Sequence, residues 1–321
     1  MTSLPSQPSR TSSRKVSNFS VTTVGTASAK PVVGRGQSAQ VLSVHGRFFL
    51  IDCGEGVQTS LQRFGLPMMR IDSVFISHIH GDHVFGLFGF LATVGMLGRT
   101  RPMNIYGPVS LGPILKFFLS YYGEGLRFEL RFTPLKMKEP EVIYRCPSLE
   151  VRAFPLNHGI ETFGYIFTER EKPLNVRKEA IEKYSLSLTE IGSLKRGEPV
   201  LREDGTVIGV GEATYRKFKP AGYAYCSDTA PFPEEAVWLR GVDVIYHETT
   251  YIAARADQAV ARHHSTTLDA ARCALEAGAR KLIIGHYSSR DQDPSLYEKE
   301  CRTIFPETYA ASDGDVFEIN E

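Results

Sequence analysis

The sequence predicts an α/β fold in which helices are layered against strands, and three observations support this prediction. Short apolar runs alternate with helical patterns, most regularly in the last third of the chain. Several runs end in histidine or aspartate, as strands do where an open α/β sheet builds a site. The chain has 321 residues, 42% hydrophobic and 23% charged, which suits one large domain or two.

Composition narrows the class of protein. No apolar stretch approaches the roughly 20 residues that span a bilayer, so we expect no membrane partner. The richest run, 84–97, is broken by glycine and predicts a core helix. The formal net charge of +1 neither requires nor excludes a polyanionic partner. Five cysteines without CxxC spacing favour reduced thiols in a cytoplasmic protein.

Residues 1–17 differ from the rest of the chain in composition. They are rich in Ser and Pro and carry Arg10, Arg14 and Lys15 without an acidic residue. This composition predicts a disordered tail. An organelle transit peptide is the alternative, because it is also Ser- and Arg-rich and poor in acids. Residues 18–321 then form the folded domain.

The first half of the chain predicts strands and helices in alternation. Residues 21–24 and 40–53 are strand-like and flank a loop of Gly, Ala and Ser at 25–38. The second stretch ends in an acidic glycine turn that begins at Asp52, and a buried strand follows at 73–77. Apolar periodicity predicts the remaining elements. They are helices at 57–63, 84–97 and 114–122, a strand-to-turn step at 104–108, and β segments within 142–154.

Residues 169–219 differ from the flanking sequence in composition and periodicity. They are charge-dense and weakly periodic, and they lie between strand-like stretches at 163–167 and 223–226. We predict an inserted arm that projects from the core. A solvated surface excursion fits the charges equally well, because eleven basic residues stand against nine acidic ones.

The last third alternates strand and helix. A strand at 242–246 ends in a His-Glu-Thr-Thr motif, and a strand at 281–285 ends at His286. Between them a helix is predicted at 266–277, where Thr266 can cap the first turn and a glycine follows the last.

One six-residue turn carries the strongest chemical signal. It follows the apolar run 73–77 and offers four metal ligands among six residues. Two histidines one residue apart in extended backbone can chelate one ion, and the next aspartate and histidine can reach a second. A solvated histidine-rich loop is the alternative. The turn is His78-Ile79-His80-Gly81-Asp82-His83.

Three further ligand candidates, His158, Asp228 and His286, each follow an apolar strand. Any one alone would more often cap or pack, but their shared placement indicates a common site. With the turn they make seven ligands, and two ions each receive four protein contacts if Asp228 bridges. One predicted set is His78, His80, His158 and Asp228; the other is Asp82, His83, His286 and Asp228.

These residues and their surroundings resemble the metallo-β-lactamase superfamily, and within it the short form of the ribonuclease Z family. The resemblance covers 19–319. The first motif is superfamily-wide, whereas the His-Glu-Thr-Thr and His-Ser-Thr motifs are much more specific to tRNA 3′ processing enzymes. The matching stretches are Ser77 to His83 with Gly86-Leu87, Asn157-His158-Gly159, Ser227-Asp228-Thr229, His247-Glu248-Thr249-Thr250, His264-Ser265-Thr266 and Gly285-His286-Tyr287-Ser288-Ser289-Arg290.

The resemblance implies a fold, a reaction and partners. The fold is a metallo-β-lactamase-type αβ/βα sandwich with metals at one edge and 169–219 as the tRNA-binding arm. The implied activity is a zinc-dependent endoribonuclease, acting as a homodimer, that removes the 3′ trailer from precursor tRNA and leaves a 3′-hydroxyl. A water activated by two zinc ions per chain would attack the phosphodiester. Mn²⁺ would suit the same ligands.

The resemblance also suggests roles for residues around the metals. Asp82 would accept the proton of the attacking water, and His264 would donate one to the leaving oxygen while Glu248 orients its ring. For His264 the alternative is a helix-start residue with a local hydrogen bond. Asp52 would accept a hydrogen bond from a ligand histidine. His247 could act at the site or serve a structural role beneath it.

Contacts to RNA are less well defined by the sequence. The arm departs from the family's pattern because it lacks a Gly-Pro motif. Lys195, Arg196 and the basic stretch Arg216 to Lys219 in the arm are the predicted contacts, together with Arg290 near the last ligand. For Arg290 a salt bridge is the alternative.

Two other functions compete with tRNA processing as interpretations of this sequence. A metal-dependent hydrolase of small phosphodiesters or other esters would use the same turn, whereas the arm and the His-Ser-Thr motif favour RNA. A catalytically silent RNA-binding relative is disfavoured because all seven ligand positions are intact.

Overall fold

Two seven-stranded sheets pack face to face, with helices against the outer face of each. The computed structural model describes residues 18–290 and 293–320, so the predicted tail, 1–17, lies outside the described residues. The αβ/βα sandwich implied by the resemblance is confirmed. In the part of the chain that is described, no helix is long and apolar enough to cross a membrane.

The elements follow the alternation that the sequence predicts. The strands are β1 (Phe19–Gly25), β2 (Ala39–Val44), β3 (Arg47–Ile51), β4 (Ile71–Phe75), β5 (Met103–Pro108), β6 (Leu130–Leu135), β7 (Glu141–Arg145), β8 (Leu149–Pro155), β9 (Phe163–Glu169), β10 (Asn175–Val176), β11 (Val200–Leu201), β12 (Val207–Ile208), β13 (Thr214–Tyr215), β14 (Gly222–Cys226), β15 (Val244–Glu248), β16 (Lys281–Gly285), β17 (Thr308–Ala310) and β18 (Val316–Glu318). The helices are α1 (Val57–Arg63), α2 (Gly81–Met96), α3 (Leu111–Tyr122), α4 (Lys178–Tyr184), α5 (Leu188–Lys195), α6 (Val210–Ala213), α7 (Glu235–Trp238), α8 (Ala256–Ala261), α9 (Thr267–Ala277) and α10 (Pro294–Arg302).

Strand order places the functional ends together. The first sheet has the order β18-β1-β2-β3-β4-β5-β6, and the second β17-β16-β15-β14-β9-β8-β7. Strands β3 to β6 are parallel neighbours, as are β14 to β17. The carboxyl ends of the parallel strands are where such sheets build sites.

The side chains of strand β14 point alternately into two hydrophobic cores. Tyr223 and Tyr225 point between the sheets, whereas Ala224 and Cys226 pack under the helices. Because successive side chains of a strand point to opposite faces, the apolar run buries both of its sides. Removing the apolar surface of these side chains from water stabilises the fold by roughly 25 cal/mol per Å².

Two elements begin or end at other residues than predicted, and both differences affect the site. Helix α2 begins at Gly81, so Asp82 and His83 lie in its first helical turn rather than in extended backbone. A carboxylate is favoured there by the partial positive charge of a helix N-terminus. Strand β15 continues through Glu248, because the His-Glu pair of the motif remains in register with β16.

Two further predicted elements differ from the structure only in their bounds. The stretch 40–53 is a hairpin of β2 and β3 rather than one strand, because His45 and Gly46 take positive φ angles of 47° and 81° at its turn. Helix α9 begins one residue after its predicted start, with Thr266 as the N-cap in a capping box.

The segment between β9 and β14 forms a small unit with its own core. Six buried apolar side chains from its short helices and strands pack together: Ala180, Leu186, Leu194, Val200, Ile208 and Ala213. Glu169, predicted to open the arm, is instead the last residue of β9 and accepts a hydrogen bond from Ala221 N. The chain therefore leaves and re-enters the second sheet at adjacent positions.

Candidate metal centre

The predicted ligands meet at one edge of the sandwich. The turn 78–83 follows β4 of the first sheet, while Asp228 and His286 follow β14 and β16 of the second. His158 follows β8, which runs antiparallel to β9. Three of these four chain segments follow parallel strands, and together they enclose a space lined by imidazole and carboxylate groups.

Four ligands form a first group. His80 Nδ1 lies 3.0 Å from His78 Nε2 and 3.4 Å from His158 Nε2. Asp228 Oδ2 lies 3.6 Å from His78 Nε2 and 3.9 Å from His158 Nε2. These ligand atoms all lie within 4.8 Å of one another, so one ion could contact all four.

A second group is equally close. His83 Nε2 lies 3.2 Å from His286 Nε2, and Asp82 Oδ2 lies 3.5 Å and 3.3 Å from the same two nitrogens. Asp228 Oδ1 lies 3.4 Å from His83 Nε2 and 3.3 Å from His286 Nε2. The structure therefore brings together all seven predicted ligands, in the two sets that the sequence grouped.

Asp228 stands between the two groups, with one oxygen toward each. Its Oδ1 is fully buried and has no hydrogen bond of ordinary geometry among the described residues. Burial alone would raise the pKa of this carboxyl, but the nearby imidazoles of His286 and His83 hold it well below its usual range. A buried carboxylate oxygen without a donor fits a cation, so the donor set suits metal binding.

Hydrogen bonds orient three ligand imidazoles. His158 Nδ1 donates to the carbonyl of His263 at 2.8 Å, and His286 Nδ1 lies 2.8 Å from Thr250 Oγ1. His78 Nδ1 lies 3.0 Å from Ser77 Oγ. Each of these contacts leaves the Nε2 lone pair facing the centre, as metal-ligating histidines require.

Burial also favours the neutral, ligand-competent form of three of the histidines. It lowers the pKa of His78 well below its ordinary value, and that of His80 and His158 by less. Asp228 opposes the shift at His80 and His158, and burial prevails at both. A neutral imidazole is the form that binds a metal.

Asp52 anchors the floor of the site. It is fully buried, and its Oδ2 lies 2.7 Å from His83 Nδ1, where the sequence predicted contact with a ligand histidine. Tyr225 OH and Ser77 Oγ donate to the same oxygen at 2.7 Å and 2.8 Å. Ser77 N donates to the other oxygen at 2.7 Å. The sequence assigned no role to Tyr225 or Ser77, because neither residue type signals metal chemistry.

Asp82 receives a hydrogen bond that sequence reasoning missed. The backbone N–H of Ala29, in the loop between β1 and β2, donates to Asp82 Oδ2 at 2.6 Å. Burial would raise the pKa of Asp82, but His83 and His286 hold it well below its usual range. Asp82 is therefore a carboxylate at neutral pH, the form that can bind a cation and accept hydrogen bonds.

Glu248 holds His264 at the rim of the site. His264 Nδ1 lies 2.9 Å from Glu248 Oε1, which also accepts from the backbone N–H groups of Thr229 at 3.2 Å and Ser265 at 2.9 Å. Oε2 accepts from Thr250 N and Oγ1, both at 2.7 Å. Burial would lower the pKa of His264, but the Glu248 carboxylate raises it to about 9. At neutral pH the His264 ring is therefore protonated on both nitrogens and positively charged.

The centre opens into a pocket of about 680 Å³. Besides the ligands, three basic residues line it: Lys30, Arg262 and Arg290. Of these only Arg290 was predicted, because Lys30 lies far from the motifs in sequence and Arg262, two residues before His264, belongs to none of them. Phe85, 64% exposed, adds an aromatic face to the opening.

Three residues with a predicted or possible role lie away from this pocket. His247 points away from the ligands, with Nδ1 2.8 Å from the Glu248 carbonyl and Nε2 3.2 Å from Glu235 Oε1. Lys195 and Arg196 lie at the end of α5 in the arm and are exposed. Arg196 is paired with Glu198 at 2.7 Å, and both side chains are exposed.

Comparisons with curated proteins give consistent matches along the chain. It is 36% identical to "Ribonuclease Z" of Bacteroides fragilis, over 92% of this chain and 97% of that protein. It is 40% identical to "Ribonuclease Z" of Cytophaga hutchinsonii, over 95% and 97% of the two chains. A family profile described as "Anti-Pycsar protein Apyc1" matches residues 19–168.

Solved structures agree with these matches. The short form of human tRNase Z superposes with a TM-score of 0.67 at 27% identity, covering 94% of this chain and 99% of that one. The metallo-β-lactamase fold protein YhfI of Bacillus subtilis superposes with a TM-score of 0.65 at 19% identity, covering 93% and 98%. The second similarity concerns the fold alone.

Proposed function

The chain belongs to the ribonuclease Z family, and from this membership we infer that it is an endoribonuclease that removes the 3′ trailer from precursor tRNA. One observation in the site connects this family membership to the proposed reaction. His264, held by Glu248, lines the same pocket as His80, Asp82, Asp228 and His286, so a proton donor and the candidate metal centre share one substrate space.

We propose that the seven ligands hold two divalent metal ions, one in each group with Asp228 shared. Imidazole nitrogens and carboxylate oxygens without thiols suit zinc, and Mn²⁺ accepts the same atoms. When bound, such ions supply an activated water and neutralise charge on the phosphodiester. The orphaned Oδ1 of Asp228 and the neutral state of His78, His80 and His158 support the proposal.

The chain's own residues account for orientation and proton movement. Asp82 lies beside both ligand groups and is the proposed acceptor of the attacking water's proton. His264 donates its Nε2 proton to the leaving 3′ oxygen, since Glu248 occupies Nδ1 and leaves Nε2 to face the pocket. Asp52 keeps the His83 ring in one orientation through the contact at Nδ1. Together these groups would produce a tRNA with a 3′-hydroxyl and a trailer with a 5′-phosphate.

The opening of the pocket suits a nucleic-acid strand. Lys30, Arg262 and Arg290 can contact phosphates, and Phe85 can stack against a base. If Arg290 contacts a phosphate, cleavage by the Arg290→Gln variant should depend less on salt concentration than cleavage by the unchanged chain.

A trailer-cleavage assay tests the function directly. Purified protein is incubated with a precursor tRNA and with an unstructured RNA of equal length, and the RNA ends are identified. We expect one cut at the end of the tRNA body, which leaves a 3′-hydroxyl, and much slower cleavage of the unstructured RNA. Equal cleavage of both RNAs would contradict a tRNA-specific enzyme. Bis(p-nitrophenyl) phosphate, run in parallel, tests the alternative of a small-phosphodiester hydrolase.

We propose that the arm binds the body of the tRNA, and its attachment allows a clean deletion. Thr168 pairs with Gly222, and Glu169 bonds Ala221 in both directions, so the two ends are already neighbours. Replacing residues 171–219 with an Asn-Gly turn should therefore preserve the sheet. We expect tRNA cleavage to weaken on the order of 10- to 100-fold through KM, as loss of a few phosphate contacts would cause.

Hydrolysis of bis(p-nitrophenyl) phosphate is the internal control for the arm deletion. We expect it to stay near the level of the full chain, because the arm contributes no ligand. If both substrates were lost together, the arm would be needed for folding of the site rather than for tRNA binding. A matched variant, Lys195→Gln in the full chain, reports whether that exposed charge contributes to KM.

The assembly and the location of the protein are also proposals. We propose a homodimer, and the exposed aromatic side chains of α3, Phe117 and Tyr121, provide an apolar surface that a second copy could cover. Sedimentation would distinguish the mass of one chain from that of two. A cytoplasmic location is supported by five free cysteines, four of them buried, and fractionation of cells would test it.

A further inference from the structure

A second cluster of metal-ligating side chains lies behind the candidate metal centre, on the helix-facing side of the second sheet. Cys226 on β14 and His247 on β15 are direct neighbours in the parallel ladder and point to the same face. Glu235 opens α7, and Cys273 lies on α9. We call these four residues the Cys–His–Glu cluster.

The four side chains converge in a buried space. The ligand atoms of Cys226, Glu235 and His247 lie within 4.8 Å of one another. The thiol of Cys273 lies beside His247, and all four residues are buried, the most exposed being Cys273 at 8%. Neither cysteine is in a disulfide. The set is two thiols, one imidazole and one carboxylate, contributed by four different elements.

The hydrogen bonding of the cluster leaves ligand positions open. His247 Nδ1 donates to the Glu248 carbonyl at 2.8 Å, which directs Nε2 into the cluster. This arrangement is the usual one for a metal-ligating histidine. Glu235 Oε1 lies 3.2 Å from that Nε2, yet within the described part of the chain this buried oxygen has no hydrogen bond of ordinary geometry. Glu248, which is equally buried, receives hydrogen bonds at both oxygens.

We propose that the Cys–His–Glu cluster binds a structural Zn²⁺, distinct from the ions at the catalytic edge. Four ligands of these types match a closed tetrahedral zinc site. Two thiolates favour zinc over magnesium, calcium or manganese, which prefer oxygen. The ion would take the place of a proton on His247 as the partner of Glu235.

An entry path exists from the surface. A shallow pocket of about 150 Å³ reaches Glu235 and Cys273, and Asp269 and Glu276 stand at its mouth. These carboxylates outnumber the single basic residue there, Arg272, which favours the approach of a cation.

The site would join the parts of the chain that present the catalytic groups. Cys226 stands two residues before Asp228, and His247 immediately precedes Glu248. A metal that ties β14 and β15 to α7 and α9 would therefore hold the ends of both strands. Because such binding stabilises only the folded chain, it would raise the temperature of unfolding.

Cobalt substitution tests the proposal without any reference to RNA cleavage. The full chain is produced in cobalt-supplemented medium, purified intact, and examined by absorption spectroscopy. Only a thiolate ligand gives a near-ultraviolet sulfur-to-cobalt charge-transfer band, and the seven ligands of the catalytic edge include no cysteine. We expect the band in the unchanged protein, at an intensity that corresponds to about one thiolate-bound ion per chain.

Variants assign the band to these residues. Cys226→Ser and Cys273→Ser should each weaken or remove it, whereas Cys301→Ser, a buried cysteine on α10 outside the cluster, should leave it intact. Absence of the band in the unchanged protein would overturn the proposal even if the variants failed to fold. Persistence of the full band in both cluster variants would also overturn it.

Discussion

Asp228→Asn is expected to remove both proposed metal ions and to lower kcat/KM for precursor tRNA by at least about 10²–10³-fold, the scale of losing one preorganised electrostatic group. The reason is geometric. Asp228 Oδ2 faces His78 and His158, and Oδ1 faces His83 and His286, so one carboxylate serves both groups. An amide keeps the shape but provides a single oxygen and no charge.

Metal content and cleavage are measured on the same preparation. Asp243→Asn is the matched control, because Asp243 is also a buried carboxylate of the second sheet, bonded to Gly222 N at the other end of β14. It should retain both metals and the cleavage rate, even if its stability falls. If Asp228→Asn kept its metals but lost activity, Asp228 would act on the substrate rather than as a bridging ligand.

His264→Asn should lower kcat for precursor tRNA by roughly 10²–10³-fold while metal content and KM change little. The Asn side-chain amide can still donate to Glu248 Oε1, in place of Nδ1, but nothing replaces Nε2. The leaving 3′ oxygen of tRNA needs a proton, whereas p-nitrophenolate leaves without one. Hydrolysis of bis(p-nitrophenyl) phosphate should therefore fall far less than tRNA cleavage.

The two substrates separate proton donation from positioning. If both rates fell equally, His264 would shape the site rather than protonate the leaving group. Loss of metal would instead make it a ligand, since its ring nitrogen also lies within 4.8 Å of ligand atoms of Asp228 and His286. The control is His45→Asn, which removes an imidazole paired with Glu169 at 2.5 Å near the stem of the arm and touches no ligand.

Much of the site could be predicted because its residues occupy a repeated position. His158, Asp228 and His286 each follow an apolar strand, and sheets of this class gather such residues at one edge. The fold class followed from the same alternation of strands and helices. Local chemistry also predicted helix α9, because Thr266 caps it, Asp269 completes the capping box, and Gly278 takes a φ of 71° after its end.

What could not be predicted depends on contacts between distant segments. Ala29 N reaches Asp82 from a loop with no ligand-like residue, and Tyr225 reaches Asp52 across the space between the sheets. Lys30 and Arg262 join the pocket only through folding. Backbone donors and isolated basic residues carry no pattern of their own in a sequence.

The sequence by itself identified seven candidate ligands, their proposed division into two groups, and the likeness to one family, because each rests on local spacing and motif. The tertiary structure decided which oxygen of Asp228 faces which group, and that His247 points away from the catalytic edge. It also brought Cys226, Glu235, His247 and Cys273 together from four separate elements. The physical reason is that the direction of a side chain from a strand depends on register and sheet pairing, which neighbours in sequence do not specify.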